Sequence, residues 1–227
     1  MLKQRIITAL ILLPIALCGF FLLSGSGFAL FIGLVVTLGA WEWARLAGFD
    51  AQPARVGYAA LSSAASKLVI GFLILLPAWQ GLIEIKQHAS GKGNWLIMAV
   101  MILVWGADIG AYFSGKAFGK RKLAPSVSPG KSWEGVYGGL SLSLAITAVF
   151  GLVSGWGFGQ ILASLMGAAI IVFVSVVGDL TESMFKRQSG IKDSSNLLPG
   201  HGGVLDRIDS LTAAIPMFAV LLWIAAS

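Results

Sequence analysis

Apolar residues in this chain form long unbroken runs, and polar residues are confined to the short stretches between them. The first run, roughly Ile6 to Leu23, follows Lys3 and Arg5. A cleaved signal peptide begins in the same way, but this run is long for an h-region and a second one follows at once, so an uncleaved helix is expected. Ser24-Gly25-Ser26-Gly27 separates it from a second run, about Phe28 to Leu46. A third, about Lys67 to Ile85, is interrupted by Pro77. Ala51 to Ser66 before it either extends that helix or lies along the interface. Four more follow, at Asn94–Gly115, Gly135–Ser154, Phe158–Glu182 and Ile208–Ala226. At about 20 apolar residues per crossing, the pattern predicts an all-α, polytopic membrane bundle of about seven transmembrane helices. No internal repeat or low-complexity tract stands out.

Composition agrees. Of the 227 residues, 57% are hydrophobic and 11% charged, with a mean hydropathy of +0.86. Soluble domains carry roughly 25% charged residues, so this chain has too little polar surface to cover a globule in water. The single cysteine, Cys18, excludes an intramolecular disulfide framework and a cysteine-cluster zinc site. It is read as packing.

The net charge of +6 does not point to nucleic acid, because the basic residues lie in loops between apolar runs rather than on one folded face. Their distribution sets an orientation instead. With the amino terminus in the cytoplasm, thirteen fall inside or at the inner boundary: Lys3, Arg5, Arg45, Arg55, Lys116, Lys120, Arg121, Lys122, Lys131, Lys186, Arg187, Lys192 and Arg207. Only Lys86 and Lys92 fall outside, and Lys67 is left unassigned. The positive-inside rule favours that arrangement, and both long polar loops then face the cytoplasm.

Acids inside apolar runs cost about 2.5–3.5 kcal/mol each at a helix centre and need a reason. Glu42 stands in Trp41-Glu42-Trp43, with Arg45 one turn later, and is read as a helix-end carboxylate snorkelling to water. Asp108 follows Trp105-Gly106-Ala107. Asp179 follows the unbroken run Ile170–Val177 and precedes Glu182, Ser183, Lys186 and Arg187. Asp179, Ser183, Lys186 and Arg187 stand at i, i+4, i+7 and i+8, one helical stripe that can hold a metal at one end and phosphates at the other. Asp206 and Asp209 share a face if the last helix begins early. Hard oxygen donors on separate helices suit Mg²⁺, completed by phosphate and water. Zinc is disfavoured, because neither HExxH nor a Cys/His cluster is present.

Two loops complete the polar set. Leu198-Pro199-Gly200-His201-Gly202-Gly203 places three glycines around one histidine. Backbone N–H groups there can approach an anion closely, or the segment is simply a flexible loop ending in a helix cap. Gly130-Lys131-Ser132 has the end of a P-loop, but Pro125 stands where the earlier glycine is required, so a Walker A site is excluded. Lys131 remains a candidate phosphate contact.

Together, Ser183-Met-Phe-Lys186-Arg187, Lys192-Asp193, Pro199-Gly200-His201-Gly202-Gly203 and Asp206-Arg207-Ile208-Asp209 closely resemble the signature of the phosphatidate cytidylyltransferase (CDP-diacylglycerol synthase) family. Gly178-Asp179-Leu180, Ser128 to Gly135, and Trp105 to Asp108 look like further blocks of it. The resemblance is strong from Trp105 onward and looser over the first fifty residues. Bacterial members usually carry about nine predicted helices, two more than here. The shortfall falls after Arg55, and losing a pair keeps the loops on the same side.

The resemblance implies an amino-terminal helical region, 1–93, and a catalytic region, 94–227, in the cytoplasmic (inner) membrane. It implies CTP and phosphatidic acid as substrates, Mg²⁺ with a second cation as an option, no nucleic acid, and a homodimeric assembly. Asp179, Asp206 and Asp209 become the expected metal ligands. Lys186, Arg187 and Arg207 are expected on phosphate. Ser183, Lys192, Gly200, His201, Gly202, Gly203, Lys131 and Asp108 complete the expected substrate site, with His201 and its glycines on CTP or pyrophosphate. Two rivals differ in chemistry. A CTP-dependent polyprenol kinase would pass on the γ-phosphate and release CDP. A cation transporter would use Asp108 and Asp179 but gives no reason for Lys186-Arg187 or the glycine loop.

Overall fold

A computed structural model describes residues 2–46, 58–88 and 92–226, with side chains over 6–43, 70–87 and 92–226. Residues 51–57, Arg55 among them, fall outside the described residues, as do the side chains of Lys3, Arg5, Arg45 and Lys67, while 58–66 of the ambiguous 51–66 stretch extends the third helix. Seven helices are described: α1 (Leu2–Leu22), α2 (Gly25–Leu46), α3 (Tyr58–His88), α4 (Gly93–Phe118), α5 (Trp133–Val153), α6 (Phe158–Gln188) and α7 (Leu205–Ala226). Among the described residues five of them, α2, α4, α5, α6 and α7, are long and apolar enough to cross a membrane, and α1 holds a shorter apolar stretch, Ile6–Leu22. The protein is a helical polytopic membrane protein. Its outer surface fits that medium, since Leu10, Leu30, Phe173 and Trp223 are each at least 65% exposed.

One element has no counterpart in the hydropathy pattern. Between α4 and α5 the chain forms an antiparallel hairpin, β1 (Lys122–Ala124) and β2 (Ser128–Ser132). Its strands are too short and polar to register against the helical runs. Ser132 ends β2 and caps α5, its hydroxyl accepting from Gly135 N at 3.2 Å. Lys131 is therefore carried on a strand leading directly into a helix start.

Small residues set the tightest helix contact. Gly110 of α4 lies so close to α5 that a Cβ there would come within 2.6 Å of the Gly138 carbonyl oxygen. Ser143 of α5 donates to Leu103 O of α4 at 2.9 Å. Without a hydrophobic driving force between helices in lipid, such close backbone approach is what holds them. A second close pair is α6 with α7, where a Cβ on Gly178 would strike Ala213.

The two ends of the bundle differ in chemistry. At one end Lys86 donates to Phe20 O at 2.5 Å and to Asn94, and lies 4.7 Å from the Phe28 ring centroid. That cluster ties together the ends of α1, α2, α3 and α4. The opposite end carries the hairpin, the loop between α6 and α7, and nearly all other polar contacts. Helix α6 spans 31 residues, and Asp179 lies about 32 Å along it at 1.5 Å per residue. That is about the thickness of the hydrocarbon core, so the polar end of α6 emerges where water begins.

Candidate active site

Asp179 sits at the wall of a cavity of about 210 Å³ enclosed by α4, α5, α6 and β2, with Ser210 of α7 also lining it. Lys131 reaches in from the hairpin and pairs with Asp179 Oδ2 at 2.5 Å. Ser183, one turn along α6, donates to Asp179 Oδ1 at 3.3 Å. Asp108 of α4 faces the same cavity. It lies within reach of the charges of Asp179, Lys131 and Arg207, and Asp179 is also a charge neighbour of Asp209. Two carboxylates, Asp108 and Asp179, and the ammonium of Lys131 thus face one space. Such an arrangement binds a polyanion through its cations and a divalent cation through its acids.

The remaining members of the expected stripe divide. Lys186 turns inward, with its side chain 8% exposed, and donates to Asp206 Oδ1 at 2.6 Å. Glu182 Oε1 lies 3.2 Å from the same ammonium, but neither Glu182 oxygen has an aligned hydrogen bond. Arg187 turns outward and donates to the carbonyls of Val127 and Ile191, each at 3.2 Å, pinning the hairpin against α6. The two cations expected together on phosphate, adjacent in the chain, thus point in different directions around the helix.

The glycine loop closes on itself. Leu198 N donates to Gly202 O at 2.8 Å, and His201 N to Leu198 O at 2.9 Å. Gly200 and Gly202 take φ of 76° and 86°, where a side chain is strained. The sequence alone leaves two roles open for this segment, N–H groups offered to an anion or a flexible loop ending in a helix cap. Three N–H groups where it runs into α7 meet the chain's own carboxylates. Gly203 N donates to Asp206 Oδ2 at 2.8 Å, Val204 N to Glu42 Oε1 at 2.8 Å, and Leu205 N to Glu42 Oε2 at 2.6 Å. Asp206 Oδ2 also receives Ser194 N and Ser194 Oγ, both at 2.9 Å.

Glu42 corrects the sequence reading. It does not snorkel; it is 0% exposed, and its carboxylate also accepts from the hydroxyls of Ser194 and Ser195. Four donors replace water, which is why the charge is tolerated there. No local motif marks it, since its partners lie more than 150 residues away. Glu182, buried at 3%, was likewise outside the expected set. Its i, i+4 spacing to Lys186 is the signal that could have found it. Of the other expected residues, Lys192 and Gly200 are exposed, Arg207 is exposed and a charge neighbour of Asp108, and His201 is half-buried with its Nδ1 lacking a hydrogen-bond partner.

Gly203→Ala tests the loop. A Cβ there would collide with Ser194 Oγ and the Glu42 carboxylate. The variant is expected to melt earlier in detergent, by the equivalent of about 1–3 kcal/mol. Gly159→Ala, where a Cβ meets nothing within 4 Å, should melt like the parent.

The chain is similar to known proteins over nearly its whole length. A profile of the cytidylyltransferase family matches residues 3–89 and 61–225, which together take in nearly the whole chain. The chain belongs to the cytidylyltransferase family. It is similar to the phosphatidate cytidylyltransferase of Pseudomonas aeruginosa, 64% identical over 268 aligned positions that cover 99% of this chain and 98% of that protein. The Haemophilus influenzae protein of the same name is 40% identical, covering 96% and 98%. That of Bacillus subtilis is 42% identical over 62% of this chain and 51% of its own length. The Pseudomonas alignment is longer than the 227 residues of this chain. The relative therefore has residues that this chain lacks.

Proposed function

We propose that the chain transfers a cytidylyl group from CTP to phosphatidic acid, giving CDP-diacylglycerol and pyrophosphate at the cytoplasmic face of the inner membrane. The observation that carries this reading is the near-full-length likeness to proteins named for that reaction. The cavity around Asp179 supplies suitable chemistry. A phosphate oxygen of the lipid attacks the α-phosphorus of CTP, the bond to the β-phosphate oxygen breaks, and pyrophosphate leaves. The nucleophile is already anionic near neutral pH, so no strong base is needed. The barrier is the approach of one anion to another, which positioned cations lower.

Lys131 and Arg207, beside Asp179 and Asp108, are assigned to the phosphates. His201, whose Nδ1 lacks a partner, is assigned with its glycines to CTP or the leaving pyrophosphate. Mg²⁺ fits the donor set: Asp179 and Asp209 are hard oxygen donors and charge neighbours on α6 and α7. Substrate phosphate oxygens and water would complete its coordination. Asp206 belongs to the same set in chemistry, but its oxygens receive Lys186, Ser194 and Gly203. Its coordination requires Lys186 to withdraw. When bound, Mg²⁺ supplies charge neutralisation on the triphosphate.

The lipid reaches this end of the bundle from the bilayer and CTP from water. Purified protein given CTP and phosphatidic acid in detergent micelles should form CDP-diacylglycerol with Mg²⁺ and none with EDTA. Folded protein that forms no product with Mg²⁺ would refute the assignment.

A further inference from the structure

We infer that Glu42 is a positioning residue for the reaction, holding the α6–α7 loop and the start of α7 from a helix in the amino-terminal half of the chain. The inference rests on the proposed cytidylyl transfer. An ionised carboxylate offers about four acceptor sites, and four donors fill them here. Ser195 Oγ (2.6 Å) and Val204 N (2.8 Å) meet Oε1; Ser194 Oγ (2.9 Å) and Leu205 N (2.6 Å) meet Oε2. Val204 N and Leu205 N stand at the start of α7, where helix N–H groups have no partner within the helix and a negative charge is favoured. A side chain of α2 thus caps α7 from outside.

The contact continues to the expected catalytic groups. Ser194 Oγ lies 2.9 Å from both Glu42 Oε2 and Asp206 Oδ2. It has one hydrogen, so it bridges the two carboxylates by donating to one at a time. Ser194 N and Gly203 N hold Asp206 independently, and Asp206 holds Lys186 of α6. The network runs from α2 through the loop to α7 and α6. It has no slack, since a Cβ on Gly203 would strike both Glu42 and Ser194. Next to Glu42, Trp43 is buried against Phe185 with ring centroids 5.4 Å apart, which fixes this turn of α2 to α6 as well. His201 lies within the segment that Ser194, Ser195 and Val204 anchor on either side. Loss of Glu42 therefore displaces reacting groups without removing any of them.

Glu42→Gln keeps the shape but puts an NH₂ where one oxygen accepted. A serine hydroxyl can turn to accept; a backbone N–H cannot. With the full chain in detergent, kcat is expected to fall about 10²-fold, the effect of a displacement near 1 Å, with KM for CTP and phosphatidic acid little changed. Trypsin should cut faster after the exposed Lys192. Glu84→Gln, which alters an exposed carboxylate of α3, should match the parent in both. Ser195→Ala removes a single donor and should show the same pattern more weakly, which keeps the test open if the Gln variant does not fold. Parental kcat and parental cleavage in Glu42→Gln would overturn the inference, as would activity lost only in proportion to folded protein. If the parent itself makes no CDP-diacylglycerol, the reaction assignment fails, and the trypsin comparison still decides the role of Glu42.

Discussion

Asp179→Asn is expected to lower turnover by about 10²–10³-fold, the scale of removing one charge-stabilising group from an active site, while the protein inserts and melts as before. The two halves of that expectation have separate causes. Asp179 is partly exposed, with 23% of its side chain accessible, and its partners are Lys131 at 27% and Ser183. Ion pairs this open contribute about 0–1 kcal/mol, and the amide oxygen of Asn still accepts from Ser183. Little stability is at stake. The charge, however, faces the cavity with Asp108 and Lys131. Initial rates at saturating CTP and phosphatidic acid, with a melting curve of the same preparation, check both halves. Parental turnover in a purified, folded variant would remove Asp179 from the site.

Lys186→Met has the opposite balance. Its ammonium is the only cation that the described ion pairs place against Glu182 and Asp206, whose side chains are 4% and 6% exposed. Removing one partner of a buried ion pair costs about 3–5 kcal/mol, because the charge left behind has neither water nor a counter-ion. The variant is expected to melt far below the parent in detergent and to lose activity through instability. Glu182→Gln in the same chain takes away one stranded charge and should recover part of the loss. If Lys186→Met melts like the parent, the cluster does not hold α6 to α7.

Each helix in the bundle is legible in the hydropathy pattern, since long apolar runs have one stable form in lipid. The largest shift is at α3, which starts at Tyr58 rather than Lys67. Two other ends moved by a few residues: α6 continues past Glu182 to Gln188, and α7 starts at Leu205 rather than Ile208. Both extensions are polar turns, which hydropathy cannot assign. The hairpin carrying Lys131 was not legible for the same reason.

Within the site, the chain pattern placed Asp179 and Ser183 on one face, and they do meet. It also placed Lys186 and Arg187 on that stripe, where adjacent positions in fact diverge by about 100° around a helix of 3.6 residues per turn. One met Asp206 and the other the hairpin. Glu42 was misread because a carboxylate beside an arginine one turn away looks solvated. The donors that bury it are brought by tertiary folding alone.

The central claim is the bond that breaks in CTP. Purified protein and phosphatidic acid should be incubated with CTP labelled at the α-phosphate in one reaction and at the γ-phosphate in another, and the lipid then extracted. α-Label is expected in the lipid and γ-label in soluble pyrophosphate. γ-Label in the lipid, with CDP left in the water, would make the protein a kinase and contradict that claim.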